Sequence, residues 1–370
     1  MSAPADVRAA RRHVILHPMA IPTSMRAVRL VDIGAPVELH VVPVPVPAPH
    51  EVLVKVTAAG ICHSDAHYRS GRSGAKAMPR TLGHEVAGTI AALGAQVTDR
   101  ALGERVVLHY NVTCGACDWC TQGHEQFCAE CRMLGHHRDG GWAEYIAVPA
   151  RNAVSLPTAI ADAPGATLMC ASATSYHALR KSRLVAGERV AIFGAGGLGQ
   201  SAVQLARTMG ARQVIAVDMD RDRLARAAAH GADVVDASQG DVVAAVRGAT
   251  GGRGVDVALE LVGLVETTRQ AIAVLAPMGR AVAVGLTAGI TPIETYREIL
   301  GPEAELIGCN DHLRSELEPL VELARTGALD AAGAVTRTIP LDAARINEAL
   351  DALDRYGPGV RTVIVPDQEA

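Results

Sequence analysis

The stretch Val190-Ala-Ile-Phe-Gly194-Ala-Gly196-Gly197-Leu198-Gly199 sets an apolar strand, a glycine turn and a helix start end to end. A strand that feeds directly into a helix packs back onto a parallel sheet, so this segment constrains the fold more than any other. Its surroundings agree. Arg189–Phe193 reads as a strand and Leu198–Met209 as an apolar helix. Gln213–Val217 and Arg221–His230 repeat the unit. Val234–Val235, Asp256–Leu261, Arg280–Gly285 and Glu305–Cys309 continue as strands, with helices expected near Asp241–Ala249 and Glu266–Ala276. Such alternation predicts a doubly wound α/β domain. Gly194, Gly196 and Gly199 fit the G-x-G-x-x-G dinucleotide fingerprint, and Asp218 closes the next strand 19 residues on. Gly194 permits the turn, Gly196 admits a pyrophosphate, and Gly199 lets helix and strand pack closely. Asp218 is expected to accept from the adenosine ribose hydroxyls. A carboxylate about 4 Å from a phosphate charge costs about 4 kcal/mol at an effective dielectric near 20, which favours NAD over NADP. Asp220 adds to that field; Arg221 and Arg223 soften it.

The remainder of the chain is different in kind. A length of 370 residues suggests two domains. Met25–Val31, Glu51–Ala58 and Glu144–Val148 read as short strands. Pro43, Pro45, Pro47 and Pro49 mark an extended connection that no helix or central strand tolerates. Ser315–Thr326 and Ala343–Asp354 read as helices, and Val360–Val365 as a closing strand. Aromatics are only 3%, so cores and any substrate pocket should be aliphatic. The net charge of −4 offers no basic field for nucleic acid. No apolar run reaches membrane-spanning length. Residues 1–24 carry Arg8, Arg11 and Arg12 without the apolar core of a signal peptide, and read as a tail with Met25 as an alternative start. A cytoplasmic chain is expected.

Clustered cysteines in such a chain point to metal before disulfides. Cys114, Cys117, Cys120 and Cys128 lie within fifteen residues and can close around one zinc ion. A Cys₄ site has no open position, so this one reads as structural. Cys131 is surplus to it. Cys62-His63-Ser64-Asp65-Ala66-His67 follows a strand, and Gly83-His84-Glu85 comes sixteen residues beyond. Spacing alone does not single out Cys170, which reads as a small buried hydrophobe. His109, His136 and His137 lack partner spacing and read as non-functional, as does Cys309.

From about Met25 onward the chain resembles the zinc-containing medium-chain alcohol dehydrogenases. The resemblance rests on Gly83-His84-Glu85-Val-Ala-Gly88 with Gly94 and Val97, and on Leu168-Met-Cys170-Ala-Ser-Ala-Thr174-Ser-Tyr176. The cysteine quartet and the glycine fingerprint follow in the family's order. It implies a GroES-like, mostly β catalytic domain over 25–171, with a zinc lobe at about 109–132. A six-stranded Rossmann domain would span 172–309, and 310–370 would return to the catalytic domain. Cys62, His84 and Cys170 would hold a catalytic zinc, making two zinc ions per chain with NAD as cofactor. Ser64 would hydrogen-bond the substrate oxygen, and His67 would relay its proton by way of the cofactor ribose. Asp65 would orient His84, and Glu85 would lie close to the metal. His63, Thr174, Gly197, Leu198, Arg223, Gly285 and Arg361 would contact the cofactor, and Tyr110 would line the substrate pocket. Arg72 and Lys76 stand in a polar loop where many relatives carry a bulky pocket residue. The implied activity is reversible hydride transfer between a small alcohol and its aldehyde or ketone. Reduction of an activated C=C bond and a non-catalytic zinc and NAD(H) binder are the rival readings. A homodimer or homotetramer joined through Rossmann sheet edges is expected, with no nucleic-acid or membrane partner.

Overall fold

A computed structural model describes residues 21–73, 78–287, 289–354 and 361–368. Most of the expected N-terminal tail, Lys76 and Val360 lie outside the described residues.

The doubly wound sheet forms as the alternation demands. Its six strands are Arg189–Phe193, Gln213–Asp218, Asp233–Asp236, Val255–Glu260, Leu275–Ala283 and Glu305–Gly308. Counted along the chain they lie in the order 3-2-1-4-5-6, and every pairing is parallel. Both faces are covered. On Arg189–Phe193, Val190 and Ile192 join one core cluster while Ala191 and Phe193 join another. That two-sided burial is why the strand reads as an unbroken apolar run rather than an alternation. The fifth strand starts five residues earlier than expected. Pro277 and Gly279 hide it in the sequence, and a register shift between Val255 and Val257 absorbs the irregularity, with Met278 at φ 62°.

The mostly β portion draws on both ends of the chain. Its sheet runs Ala153–Ser155, Arg105–Leu108, Val86–Leu93, Glu51–Ile61, Thr362–Ile364, Arg337–Ile339, with Tyr145–Pro149 also paired to Glu51–Ile61. The C-terminal strand sets Thr362 opposite Ile61. Ser24–Leu30 pairs with Glu38–Pro43 and Arg80–Thr81 in a smaller sheet, and Asn111–Val112 pairs with Arg132–Met133. Elements that escaped the sequence reading include the helix His63–Ser70, the strand Val86–Leu93, and the helices Asp162–Thr167 and Ala173–Lys181. The latter two are joined by a π-helical turn over Leu168–Ser172. Among the described residues no helix is long and apolar enough to cross a membrane.

Candidate active site

Cys62 ends the long strand Glu51–Ile61 and caps the helix His63–Ser70. Asp65, three residues on, turns back: its Oδ2 accepts the Cys62 N–H at 2.9 Å, which fixes the thiol's exit from the sheet. The same carboxylate faces His84, with Oδ1 3.3 Å from His84 Nδ1. Asp65 is wholly buried. It therefore caps a turn and orients an imidazole at once, leaving the far ring nitrogen to point elsewhere. Cys170 arrives from the π-helical turn. Such turns recur at functional sites because one extra residue rotates the side chains that follow.

These three side chains converge. Donor atoms of Cys62, His84, Glu85 and Cys170 all lie within 4.8 Å of one another, in a buried group. The two sulfurs are 3.9 Å apart. Zinc–sulfur bonds of about 2.3 Å in a tetrahedron set two sulfurs about 3.8 Å apart, so the donor set fits one zinc ion. Electrostatics favour a thiolate at one of the three donors. The Cys170 thiol hydrogen-bonds Cys62 and holds it well below the usual thiol range, with Arg361 and His84 helping. Cys170 is pushed well up by that same bond and by burial. Burial opposes charge on His84, but Asp65 and Cys62 outweigh it and raise the imidazole well above its ordinary value.

Glu85 is fully buried beside the group. Burial lifts its carboxyl to about 7, against the pull of Arg361, whose Nη2 stands 2.7 Å from Oε1. A Cβ on Gly60 would lie 2.0 Å from Glu85 Oε2, so a glycine in mid-strand gives the carboxylate its room. Arg361 opens the C-terminal strand and reaches the glycine turn as well: a Cβ on Gly197 would sit 3.4 Å from its Cζ. Arg361 thus spans the metal-binding group and the helix start at Gly197. Two further bonds tie the Cys170 segment to that helix. Ser175 Oγ donates to the Leu198 carbonyl at 2.8 Å, and Ser172 Oγ meets Ser201 Oγ at 2.9 Å. Thr174, nearly buried, lies between them.

The turn itself has the anatomy of an anion cradle. Gly194 adopts φ 96°. A Cβ on Gly199 would stand 1.9 Å from the Gly194 carbonyl oxygen, whereas one on Gly196 would meet open space, the side from which a ligand approaches. Asp218 Oδ2 accepts the Ala195 N–H at 2.7 Å and Oδ1 the Asp220 N–H at 2.9 Å, which pins the carboxylate at the turn. Asp220 caps the next helix through the Asp222 and Arg223 N–H groups. Gly285 packs against Gly263, where a Cβ would lie 2.1 Å from the backbone nitrogen.

Around the metal-binding group, Ser64 Oγ is 3.9 Å from Cys62 Sγ. His67 is half-buried one turn along the helix, and His63 is exposed at its start. Tyr110 is buried with its ring edge to His84, centroids 5.3 Å apart. Its hydroxyl donates to Asp311 Oδ1 at 2.9 Å. The sequence reading missed Asp311 and His312. His312 is wholly buried beside Tyr110 and His109, at 4.8 and 5.1 Å. The Asn310-Asp311 turn after a strand is the only sequence signal for them. His136 stacks on Tyr68 at 4.4 Å. Arg69 is paired with Asp351 at 2.7 Å.

The cysteine lobe forms a second group. Cys114, Cys117, Cys120 and Cys128 offer sulfurs within 4.8 Å of one another. Cys114 lies 3.9 Å from Cys120, which itself is 3.5 Å from Cys117. Backbone N–H groups of Ala116 and Cys117 point at Cys114 and lower its thiol to about 6, which favours a metal-binding thiolate. Cys131 turns away, toward Asn111 Oδ1 at 3.6 Å.

Comparisons with known proteins follow the same division. The chain matches the alcohol dehydrogenase GroES-like domain over residues 48–158 and the zinc-binding dehydrogenase domain over residues 197–326. An NAD-dependent alcohol dehydrogenase of Sulfurisphaera tokodaii is 35% identical over 356 residues, covering 92% of this chain and 100% of the relative. The alcohol dehydrogenase of Aeropyrum pernix superposes with a TM-score of 0.84 at 34% identity, covering 92% of this chain and 100% of that one. A zinc-binding dehydrogenase of Sinorhizobium meliloti, solved with NADP, gives 0.86 at 34% identity, covering 93% and 100%. With motifs, fold and likeness in agreement, the chain belongs to the zinc-containing medium-chain alcohol dehydrogenase family.

Proposed function

We propose that this protein transfers hydride reversibly between a small alcohol and NAD, giving an aldehyde or ketone. The observation that carries the reading is the convergence of Cys62, His84 and Cys170, two thiols and an imidazole from remote segments, beside an arginine that also touches the glycine turn. These three residues hold a catalytic zinc, which when bound supplies Lewis acidity toward the substrate oxygen. Ser64 hydrogen-bonds the substrate hydroxyl, and His67 carries its proton toward solvent, a task suited to an imidazole at working pH. Asp65 fixes the orientation of His84, and Glu85 stands beside the metal. Gly194, Gly196, Gly197 and Gly199 present the helix start to the pyrophosphate, with His63 and Arg361 alongside. Asp218 takes the adenosine ribose with Arg223 nearby, and Thr174, Leu198 and Gly285 flank the nicotinamide end. Asp218 disfavours a 2′-phosphate, so NAD is preferred. Tyr110 shapes the substrate pocket.

Cys114, Cys117, Cys120 and Cys128 hold a second, structural zinc. All eight cysteines are unpaired, which suits the cytoplasmic location proposed for it. A homo-oligomer is supported by the outermost Rossmann strand Glu305–Gly308, an open edge flanked by the exposed apolar residues Met278, Tyr296 and Leu300. One experiment tests the core of the reading. In Cys170→Ala, zinc falls by one ion per chain and turnover of an alcohol panel with NAD is lost, while NADH binding survives. Unchanged turnover overturns the ligand assignment. Faster turnover with NADPH than with NADH overturns the cofactor assignment.

A further inference from the structure

A groove of about 580 Å³ opens between the strands Ser24–Leu30 and Tyr145–Pro149 and the segments 80–81 and 137–140. None of its lining residues belongs to the metal-binding groups or the glycine turn. Its polar wall sets three guanidiniums, Arg29, Arg80 and Arg138, against two carboxylates, Glu51 and Asp139. His137 adds no charge at neutral pH, because burial and the neighbouring His136, Arg132 and Arg80 depress it. One positive charge is left in excess.

That excess is localised. Arg138 is satisfied: its Nη2 donates to Glu51 Oε1 at 2.7 Å and to the Ala147 carbonyl at 3.2 Å. Arg29 and Arg80 lean on the same oxygen of Asp139, at 3.7 and 3.6 Å, beyond hydrogen-bond reach. That oxygen already accepts the Thr81 N–H at 2.9 Å. Arg29 Nη2 donates to the Pro79 carbonyl at 2.9 Å, and Nε of both arginines is sealed from solvent, so their Nη groups are what the groove meets; Arg80 donates no hydrogen bond to any described residue. Both side chains are more than four-fifths withdrawn from solvent. Two poorly solvated guanidiniums whose Nη groups stand side by side over one carboxylate oxygen are suited to an oxyanion. Met25, Val42, Val46 and Ala143 supply an apolar wall to the same groove.

We propose that this groove is a second ligand site, binding a small organic oxyanion: a carboxylate or phosphate monoester carried on a short apolar chain. The ligand's head group displaces Asp139 as the counter-charge of Arg29 and Arg80, and its chain lies along Val42 and Val46. The site adjoins the segment that carries His84, since Gly140 N donates to the Thr81 carbonyl and Trp142 N to the Leu82 carbonyl.

Calorimetric titration of the zinc-loaded protein saturated with NADH, which fills the cofactor's own phosphate site, tests this with hexyl phosphate, hexanoate and inorganic phosphate. Hexyl phosphate or hexanoate binds saturably at one site per chain, the tighter of the two identifying the head group, and inorganic phosphate binds more weakly. Arg80→Gln weakens binding at least tenfold, as loss of a charge-assisted bond requires. Val46→Trp, at a position 88% exposed and so harmless to folding, fills the groove and abolishes binding. Asp139→Asn, which removes the competing charge and keeps the acceptor for Thr81, tightens binding about fivefold, the effect of one charge at about 4 Å in water. No saturable binding, binding indifferent to Val46→Trp and Asp139→Asn, or inorganic phosphate matching hexyl phosphate overturns the proposal.

Discussion

Arg361→Gln separates two roles that one side chain is asked to fill. The guanidinium pairs with Glu85 at 2.7 Å, with side-chain exposures of 4% and 0%. Without the guanidinium the buried carboxyl, already lifted to about 7, takes up a proton, so the loss is small at pH 6 and about 2 kcal/mol at pH 8.5, where the stability measurement is made. The same guanidinium lies over Gly197, where a pyrophosphate is expected, and losing a charge-assisted bond there costs about 1.5–3 kcal/mol of affinity, or more than tenfold in Kd. The second substitution, Glu85→Gln, removes the stranded carboxyl but offers nothing to a phosphate. The double variant should therefore recover most of the lost stability and none of the lost affinity. Chemical denaturation at fixed protein and zinc concentration reads the first, and NADH fluorescence titration the second. The reasoning is refuted if Arg361→Gln costs under about 1 kcal/mol at that pH, or if adding Glu85→Gln restores nothing. Unaltered NADH affinity would remove the guanidinium from the cofactor site.

Three further outcomes are expected. In Gly199→Val the side chain must displace the Gly194 carbonyl, 1.9 Å from its Cβ; overpacking of about 1–3 kcal/mol weakens NADH binding tenfold or more, and metal analysis finds both zinc sites still filled. Cys117→Ala empties the lobe site only, so zinc content falls by one ion per chain, and the thermal midpoint drops by roughly 5 °C in a melting scan. His109 is held by burial at about 3 in the folded protein, below its unfolded value. The unfolded chain then binds more protons between about pH 6.5 and 3, so stability falls as pH drops through that window. From pH 7 to 5 the loss is about 2 kcal/mol for this histidine, and denaturation of His109→Gln should show the acid slope reduced by that amount.

What the sequence made legible follows its periodicity. The Rossmann strands are apolar on both faces and punctuated by glycine, so their order along the chain could be read, as could the turn at Gly194. The strand Val86–Leu93 was missed because Gly88 and its alanines carry little β signature. The helix His63–Ser70 was missed for the opposite reason: its residues are polar, and it exists because Asp65 caps it and Gly71 ends it at φ 77°. Cys170 gave no local signal, since what sets it apart is the turn beneath it and a partner sulfur 108 residues away. The Glu85–Arg361 pair joins positions 276 residues apart, and no spacing rule reaches that far.

The π-helical turn explains why the site lies at a seam. Leu168 and Met169 pack into the core that runs through the Rossmann sheet, whereas Cys170, the next residue, packs into the core of the mostly β portion with Cys62. Adjacent residues feed two cores because the turn carries one residue more than an α-helix would. Replacing it with regular helix would swing Cys170 by about 100°, out of reach of Cys62 and out of the core the two share. The turn therefore serves the geometry of the thiols and the packing of both cores together. The bonds from Ser172 and Ser175 to the nucleotide helix extend the constraint across the seam, so that the place of the metal-binding group and that of the glycine turn are set by one short piece of backbone.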